Sequence, residues 1–240
     1  MLSEVHAMKS LFRPFLLLVA ALPLVLAACG DKEPEQRAAF TQYLQTRIVD
    51  KPGVRVPKLT DEEKKSFGDY TSHYAVITDF NAGMEASIKP LSSIVQKGSM
   101  RSLNDIVTRR DDLKSVQQSL TDMGAALKEQ QAKADAAHAQ LKQPADLKAV
   151  YDKAYEKTVS LPADTFRDVL PQLNATFDSG LKVADYVEAH KAQIEISGAI
   201  IKVKDPAVQA ELNQLLQELN DQAKNMQQAQ TRMQALMLGR

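Results

Sequence analysis

Between Ser102 and Gln143 one spacing persists: Leu103, Ile106, Arg110, Leu113, Gln117, Leu120, Gly124, Leu127, Gln131, Ala134, His138 and Leu141 follow at steps of three and four. That rhythm marks one face of an α-helix, and such a helix would be roughly 60 Å long at 1.5 Å per residue. Several seam positions are polar or tiny, which does not suit the knob positions of a dimeric coiled coil. The stretch therefore reads as one arm of an internal antiparallel pair whose small residues permit close approach.

The rest of the chain is written in the same period. A first helix is expected from Glu33 or Pro34 to Val49, with Phe40, Tyr43, Leu44 and Ile48 on one face, ended by Asp50-Lys51-Pro52-Gly53. Val54 to Leu59, containing Pro57, reads as an extended connector. Thr60-Asp61-Glu62-Glu63 has the form of a capping box. A stripe of Phe67, Tyr70, Tyr74, Ile77, Asn81, Met84 and Ile88 follows; Gly68 is expected to offset its first turn and Pro90 to kink its end, and Lys97-Gly98-Ser99 closes the segment.

Pro144 is expected to end the long third helix. Separate helices are then expected over Ala145 to Ser160 and from Pro162 onward, with Pro171 a kink or boundary in the latter. Ile194 to Lys204 breaks the helical period with β-branched residues around Ser197-Gly198, the pattern of a small β-hairpin. Asp205-Pro206 caps a last helix with Val208, Leu212, Leu215, Leu219, Ala223, Met226, Met233 and Met237 on its seam. The expected fold is all-α: an elongated multi-helix bundle with one long central helix and a small β-hairpin near 194–204. Composition agrees, with no Trp, 5% aromatic residues, and abundant Ala, Gln, Leu and Lys.

The N-terminus reads as an address. Met8 to Arg13 is a short basic stretch, and Phe15 to Leu26, broken by Pro23, is an apolar run of signal-peptide length, too short to span a bilayer as a helix. Leu26-Ala27-Ala28 then precedes Cys29, the sole cysteine of 240 residues. A thiol directly after small residues is what thioether formation with a diacylglycerol requires. Cleavage is thus expected between Ala28 and Cys29, with S-diacylglyceryl and N-acyl groups on Cys29. The division that follows is a signal peptide over 1–28, helical in conformation, a lipidated tether over 29–35 and one helical domain over 36–240 facing the periplasm. One acyl chain binds membranes only marginally and stable anchoring takes two or more, so a triply acylated Cys29 holds the chain permanently on one leaflet. Gly30 in the next place, with Asp31 one later, favours the outer membrane over the inner. The competing reading is an ordinary secretory signal that releases a soluble periplasmic protein. Met1 and Met8 both remain candidate starts.

Thirty Lys and Arg balance thirty Asp and Glu, and the signal segment holds only Lys9, Arg13 and Glu4 of these. No net basic charge exists to drive nucleic-acid binding. With Cys29 acylated, no thiol is left for a disulfide. His73, His138 and His190 lie in three different segments without metal-ligand spacing, so no metal, cofactor or catalytic residue is expected. His138 reads as a packed or surface side chain and His73 as exposed. Glu62-Glu63 belongs to a cap, and Asp111-Asp112 to a solvated face that pairs with Arg109-Arg110. Asn174-Ala175-Thr176 has the form of a glycosylation acceptor, of little meaning in a bacterial lipoprotein. Met226, Met233 and Met237 read as core rather than as an adaptable partner surface.

Cys29-Gly-Asp-Lys-Glu33 followed by Gln36 to Phe40, then Pro57 with Leu59-Thr60, Lys64-Lys65 with Phe67-Gly68, and Tyr74-Ala75 carry a likeness. It continues through Ala134 to His138, Leu141 to Gln143, Asp146 to Lys148 and Pro162 to Asp164, and fades past about residue 190. On these stretches the chain resembles the YiaF-like family of uncharacterised enterobacterial lipoproteins. The resemblance implies lipoprotein status and cleavage at Cys29, and brings no activity. Three functional readings stand: a non-enzymatic envelope protein that contacts another envelope protein, peptidoglycan or lipid; a module holding lipid or another apolar ligand between helices; and, least favoured, an enzyme with a dispersed site.

Overall fold

In the computed structural model, residues 32–95, 102–198 and 200–239 are described, with no account of the side chains of 90–95. The expected all-α bundle is what forms. Helix α1, Glu33–Leu44, runs on through a π-helical turn at Gln45–Val49 and buries Phe40, Leu44 and Ile48 completely. The extended connector after it leads to α2, Asp61–Phe67, whose capping box forms as read: the Glu63 amide donates to Thr60 Oγ1 at 3.2 Å and the Thr60 amide to Glu63 Oε2 at 2.8 Å.

Gly68 does more than offset a turn. It adopts φ +55 and ends α2, so that α3, Tyr70–Val95, begins as a separate helix. The left-handed region costs a side-chain-bearing residue energy that glycine escapes, and the Gln36 side chain lies against Gly68 where a Cβ would sit. Helix α3 buries Tyr70, Tyr74, Ile77, Phe80 and Met84 and continues through Pro90.

The stretch expected as one helix from Ser102 to Gln143 is two. Helix α4, Leu103–Thr108, is opened by a capping box between Ser102 and Asp105, and Arg109 at φ −109, ψ 30 breaks the run before α5, Arg110–Gln140. The break lets Leu103, Ile106 and Val107 serve one core while Val116, Leu120, Met123 and Leu127 serve another.

The opposite correction applies downstream. Helix α6, Ala145–Tyr155, a π turn at Glu156–Ser160, and α7, Leu161–Ala189, form one continuous run of 45 residues. At 1.5 Å per residue it is roughly 67 Å long, and it takes the role of the long central helix. Pro162 does not break it. Proline lacks the N–H that would bond the carbonyl four residues earlier, here that of Thr158, and the Asn81 Nδ2 of α3 donates to that carbonyl instead at 3.4 Å. Pro171 lies wholly inside α7.

Past α7, β1, Ile194–Ser197, pairs antiparallel with β2, Ile200–Val203, in the register Ile194 to Val203 and Ser197 to Ile200. Helix α8, Pro206–Leu238, is capped by Asp205, whose carboxylate accepts from the Ala207 amide at 2.7 Å, and packs along α7. Its C-terminal Gly239 meets Gly53 backbone to backbone, both glycines at positive φ.

Two cores result. The larger joins α1, α2, α3, α5, α6 and the first half of α7 around the aromatic residues. The smaller gathers Val183, Val187, Ile194, Val208 and Leu212 at the hairpin end. Since Arg37 of α1 reaches Asp146 at the start of α6 at 3.5 Å, the chain's entry sits at one end of the 45-residue helix and the hairpin at the other.

Candidate functional site

The densest polar chemistry among the described residues lies at the entry end, inside an aromatic layer. Phe40 packs against Phe67 at 5.3 Å and Tyr70 at 5.8 Å between ring centroids, and Tyr43 meets Tyr74 edge-on at 5.6 Å. Buried phenols must find partners for their hydroxyls, and each does. Tyr74 donates to the Pro57 carbonyl at 2.7 Å, with Tyr43 on the same oxygen at 3.4 Å. Tyr151 donates to the His73 carbonyl and Tyr155 to Asp135 Oδ1, both at 2.7 Å, and Tyr70 to Glu33. Burial pushes the Tyr43, Tyr74, Tyr151 and Tyr155 hydroxyls above the ordinary phenol range. Tyr70 is pushed up to about 12, by burial first and by its Glu33 bond second.

Two histidines complete the layer. His138 stacks on Tyr155 at 4.1 Å and bonds Asp152 at 2.9 Å, and Lys148 holds the same carboxylate at 2.7 Å. Burial works to raise the Asp152 carboxyl, but the Lys148 and His138 bonds outweigh it and hold it below its usual range. His73 is half-buried rather than exposed as its position beside the stripe implied. Gln143 folds back onto it, Nε2 to Nδ1 at 3.1 Å, and Tyr70 meets its ring edge-on. Burial lowers the His73 pKa, with Asp69 opposing. His190 stands apart, stacked on Tyr186 at the hairpin end.

A second feature gave no sequence signal. The Lys157 ammonium, on the π turn between α6 and α7, donates to the carbonyls of Ile48 at 3.1 Å, Val49 at 3.0 Å and Lys51. These are carbonyls at the end of the α1 run, where the dipole is negative; the Ile48 carbonyl also accepts the Lys51 amide at 3.3 Å. A lysine spaced about 108 residues from its acceptors looks like any other surface lysine in the sequence.

The remaining sequence candidates are placed as follows. Cys29 and the bond between Ala28 and Cys29 lie outside the described residues. Helix α1 starts at Glu33, inside the stretch expected as tether. Arg109 pairs with Asp112 at 3.0 Å, as expected of a helix surface, whereas Arg110 reaches across to Asp185 of α7. Thr176 of the Asn174-Ala175-Thr176 triplet is buried and bonds the carbonyls of Gln172 and Gln222. Of the methionines read as core, Met226 and Met233 are half-buried beside Gln222 and Ala229 on the inner face of α8, and Met237 is exposed. Among the described residues no group of three or more His, Cys, Asp or Glu could hold a metal ion, and no helix is long and apolar enough to cross a membrane.

A family model described as a protein of unknown function, DUF3053, matches residues 15–234. The chain belongs to this family. The uncharacterised protein YiaF of Escherichia coli strain K12 is 33% identical to it over 228 residues, covering 93% of this chain and 95% of YiaF. YiaF of Shigella flexneri is similar to the same extent. No solved structure matches the DUF3053 chain. The resemblance, read as fading past about residue 190, thus extends across nearly the whole chain, including most of the last helix.

Proposed function

We propose that this DUF3053 protein is a non-enzymatic lipoprotein of the bacterial cell envelope, anchored through acylated Cys29 on the periplasmic leaflet of the outer membrane. Its helical body contacts another envelope component, protein or peptidoglycan. The observation that carries the reading is the sole cysteine at the end of an apolar run, followed within four residues by the first helix. Four residues span at most about 14 Å, so acylation at Cys29 ties the entry end of the bundle close to the headgroups. The family match, which begins at residue 15, takes in both the apolar run and Cys29.

The geometry supports an interaction role for the far end. The 45-residue helix carries the hairpin roughly 65 Å from the entry end, and there Ile200 is 62% exposed and Ile201 37%. Isolated exposed apolar residues are ordinary; two adjacent ones on a two-stranded hairpin at the end remote from an anchor suit contact with a partner beyond the membrane surface. The polar groups of the aromatic layer are bonded to one another and to the backbone, which accords with a structural duty for them.

Metabolic labelling with an alkyne fatty acid tests the anchor. The wild-type chain is expected to take label and fractionate with outer membranes, and Cys29→Ser to lose the label and accumulate uncleaved. Unchanged membrane retention and processing in Cys29→Ser would refute the assignment. For the tip, a photocrosslinking residue at position 200 is expected to capture a specific envelope component in living cells, while the same probe at exposed Lys133 is not. Identical capture from both positions would sink the role of the hairpin.

A further inference from the structure

The inner face of α8 changes character half-way along. Val208, Leu212, Leu215 and Leu219 belong to the smaller core. The stripe continues at helical spacing through Gln222, Met226, Ala229, Met233 and Leu236, and none of these five belongs to either core. Between Gln222 and Gln234 the only apolar side chains larger than alanine are Met226 and Met233.

Little else holds this stretch down. Thr176 Oγ1 of α7 donates to the Gln222 carbonyl at 3.2 Å, and Gly239 meets Gly53 at the far end. In between, Lys224, Asn225 and Thr231 bond only to α8 itself. Val169 lies seven residues before Thr176, on the same face of α7, and is 6% exposed while belonging to neither core. The methionine-bearing half of α8 is what lies over it.

Exposure divides the methionines in the same way. Met84 and Met123, in the larger core, are 7% and 4% exposed, whereas Met226 and Met233 are half-buried and Met237 is 50% exposed. Among the described residues, the thioethers that an oxidant in solution can reach are those of α8.

We propose that residues 222–238 form an oxidation-sensitive strap, released from α7 when Met226 and Met233 become sulfoxides. The oxidant is hypochlorous acid. Each thioether sulfur takes its oxygen and gives up two electrons, chlorine leaves as chloride, and one proton is released. A flexible apolar side chain thereby becomes a polar one. Its new oxygen finds no donor against Val169 and is hydrated once the helix lifts away, so the modified state favours the open strap. Methionine sulfoxide reductases reverse the change. The strap depends neither on acylation of Cys29 nor on contacts of the hairpin.

The test exposes the purified full chain, held in amphipol, to a few equivalents of hypochlorous acid, with peptide mapping and amide exchange both read by mass spectrometry. Met226, Met233 and Met237 are expected to gain one oxygen each at doses that leave Met84 and Met123 unmodified. Exchange over residues 222–238 should become about tenfold faster while residues 206–219 keep their rate, and treatment with methionine sulfoxide reductases should restore it. Met226→Leu combined with Met233→Leu keeps the apolar contact without the thioethers, so its strap should stay closed at the same dose although Met237 still oxidises. Met226→Gln combined with Met233→Gln should open the strap with no oxidant present. Unchanged exchange once Met226 and Met233 are oxidised, equal loosening in the leucine variant, a closed strap in the glutamine variant, or oxidation of Met84 and Met123 at the same dose would each overturn the proposal.

Discussion

Replacing Lys157 by methionine should remove a measurable share of the molecule's stability. The ammonium donates to three carbonyls at the end of the first helical run, two of them at 3.1 and 3.0 Å. A hydrogen bond to a charged group is worth about 1.5–3 kcal/mol net. The three share one donor and one desolvation, so a single charge-assisted value is the fair measure of the set. A cation at a helix C-terminus adds about 0.3–1 kcal/mol. The expected loss is therefore about 2–4 kcal/mol.

Methionine is the right probe because it keeps the unbranched stem of lysine and removes only the charged donor. For a chain of this size each kcal/mol lowers Tm by about 2–4 °C, so the melting point should fall by roughly 5–15 °C in circular dichroism or calorimetry. Lys157→Arg should recover only part of the loss, since a planar guanidinium cannot point at three converging oxygens. Lys153→Met, on the exposed face of the same helix, serves as the control and should change nothing measurable. A Lys157→Met protein melting within a degree of the parent would show that the ammonium is solvated and that the carbonyl cluster stabilises nothing.

Two further outcomes follow from the same structure. His73 keeps its Nδ1 as an acceptor for Gln143 and is buried enough that its pKa is lowered. The unfolded chain takes up that proton near pH 6.5, so this contribution is complete above about 6.5 and is lost as pH falls toward the folded value. Asp152 repeats the sign lower down: its folded pKa is depressed, and its contribution disappears as pH falls below about 3.9 through that value. Urea midpoints should thus decline from pH 7.5 to 5, less steeply in His73→Gln, and equal slopes would remove His73 from the account. Gly53→Ala should cost about 1–3 kcal/mol, the range for a side chain forced into the left-handed region, because its Cβ also strikes the Met237 carbonyl. Faster amide exchange confined to the last turns of α8 and the Gly53 loop would confirm the contact, and unchanged exchange there would deny it.

Local chemistry was legible in the sequence and long-range chemistry was not. The Thr60 capping box, the Asp205 cap and the hairpin all form from residues within a few positions of one another, and all three appear where read. Gly68 and Arg109 end helices that periodicity carried straight through, because the choice between an offset and a break depends on Gln36 and α7, which are distant in sequence. The same holds for His73, covered only because Gln143 returns to it, and for Asn81, read as a seam residue but needed for the carbonyl that Pro162 leaves unbonded.

The two π turns show a signal that was present and read in the wrong period. Leu147, Tyr151, Tyr155, Val159 and Ala163 are all buried, none more than 3% exposed, at four successive steps of four. On an ideal α-helix each step of four overshoots a full turn by about 40°, so the fifth residue should lie about 160° from the first, on the solvent side. It does not, because the turn at Glu156–Ser160 bonds five residues back, as in Leu161 N–H to the Glu156 carbonyl, and winds more slowly. Phe40, Leu44 and Ile48 show the same steps of four ahead of and through the turn at Gln45–Val49. The turn in the long helix ends at Ser160, two residues before Pro162, where the ladder must lose a donor in any case, so the cost of the π geometry and the cost of the proline fall in one turn. It also aims Lys157 at the end of α1, which couples the two irregular turns directly. Runs of exact fours followed by proline therefore argue for one helix with an inserted residue, where alternating threes and fours fit an α-helix of ordinary winding.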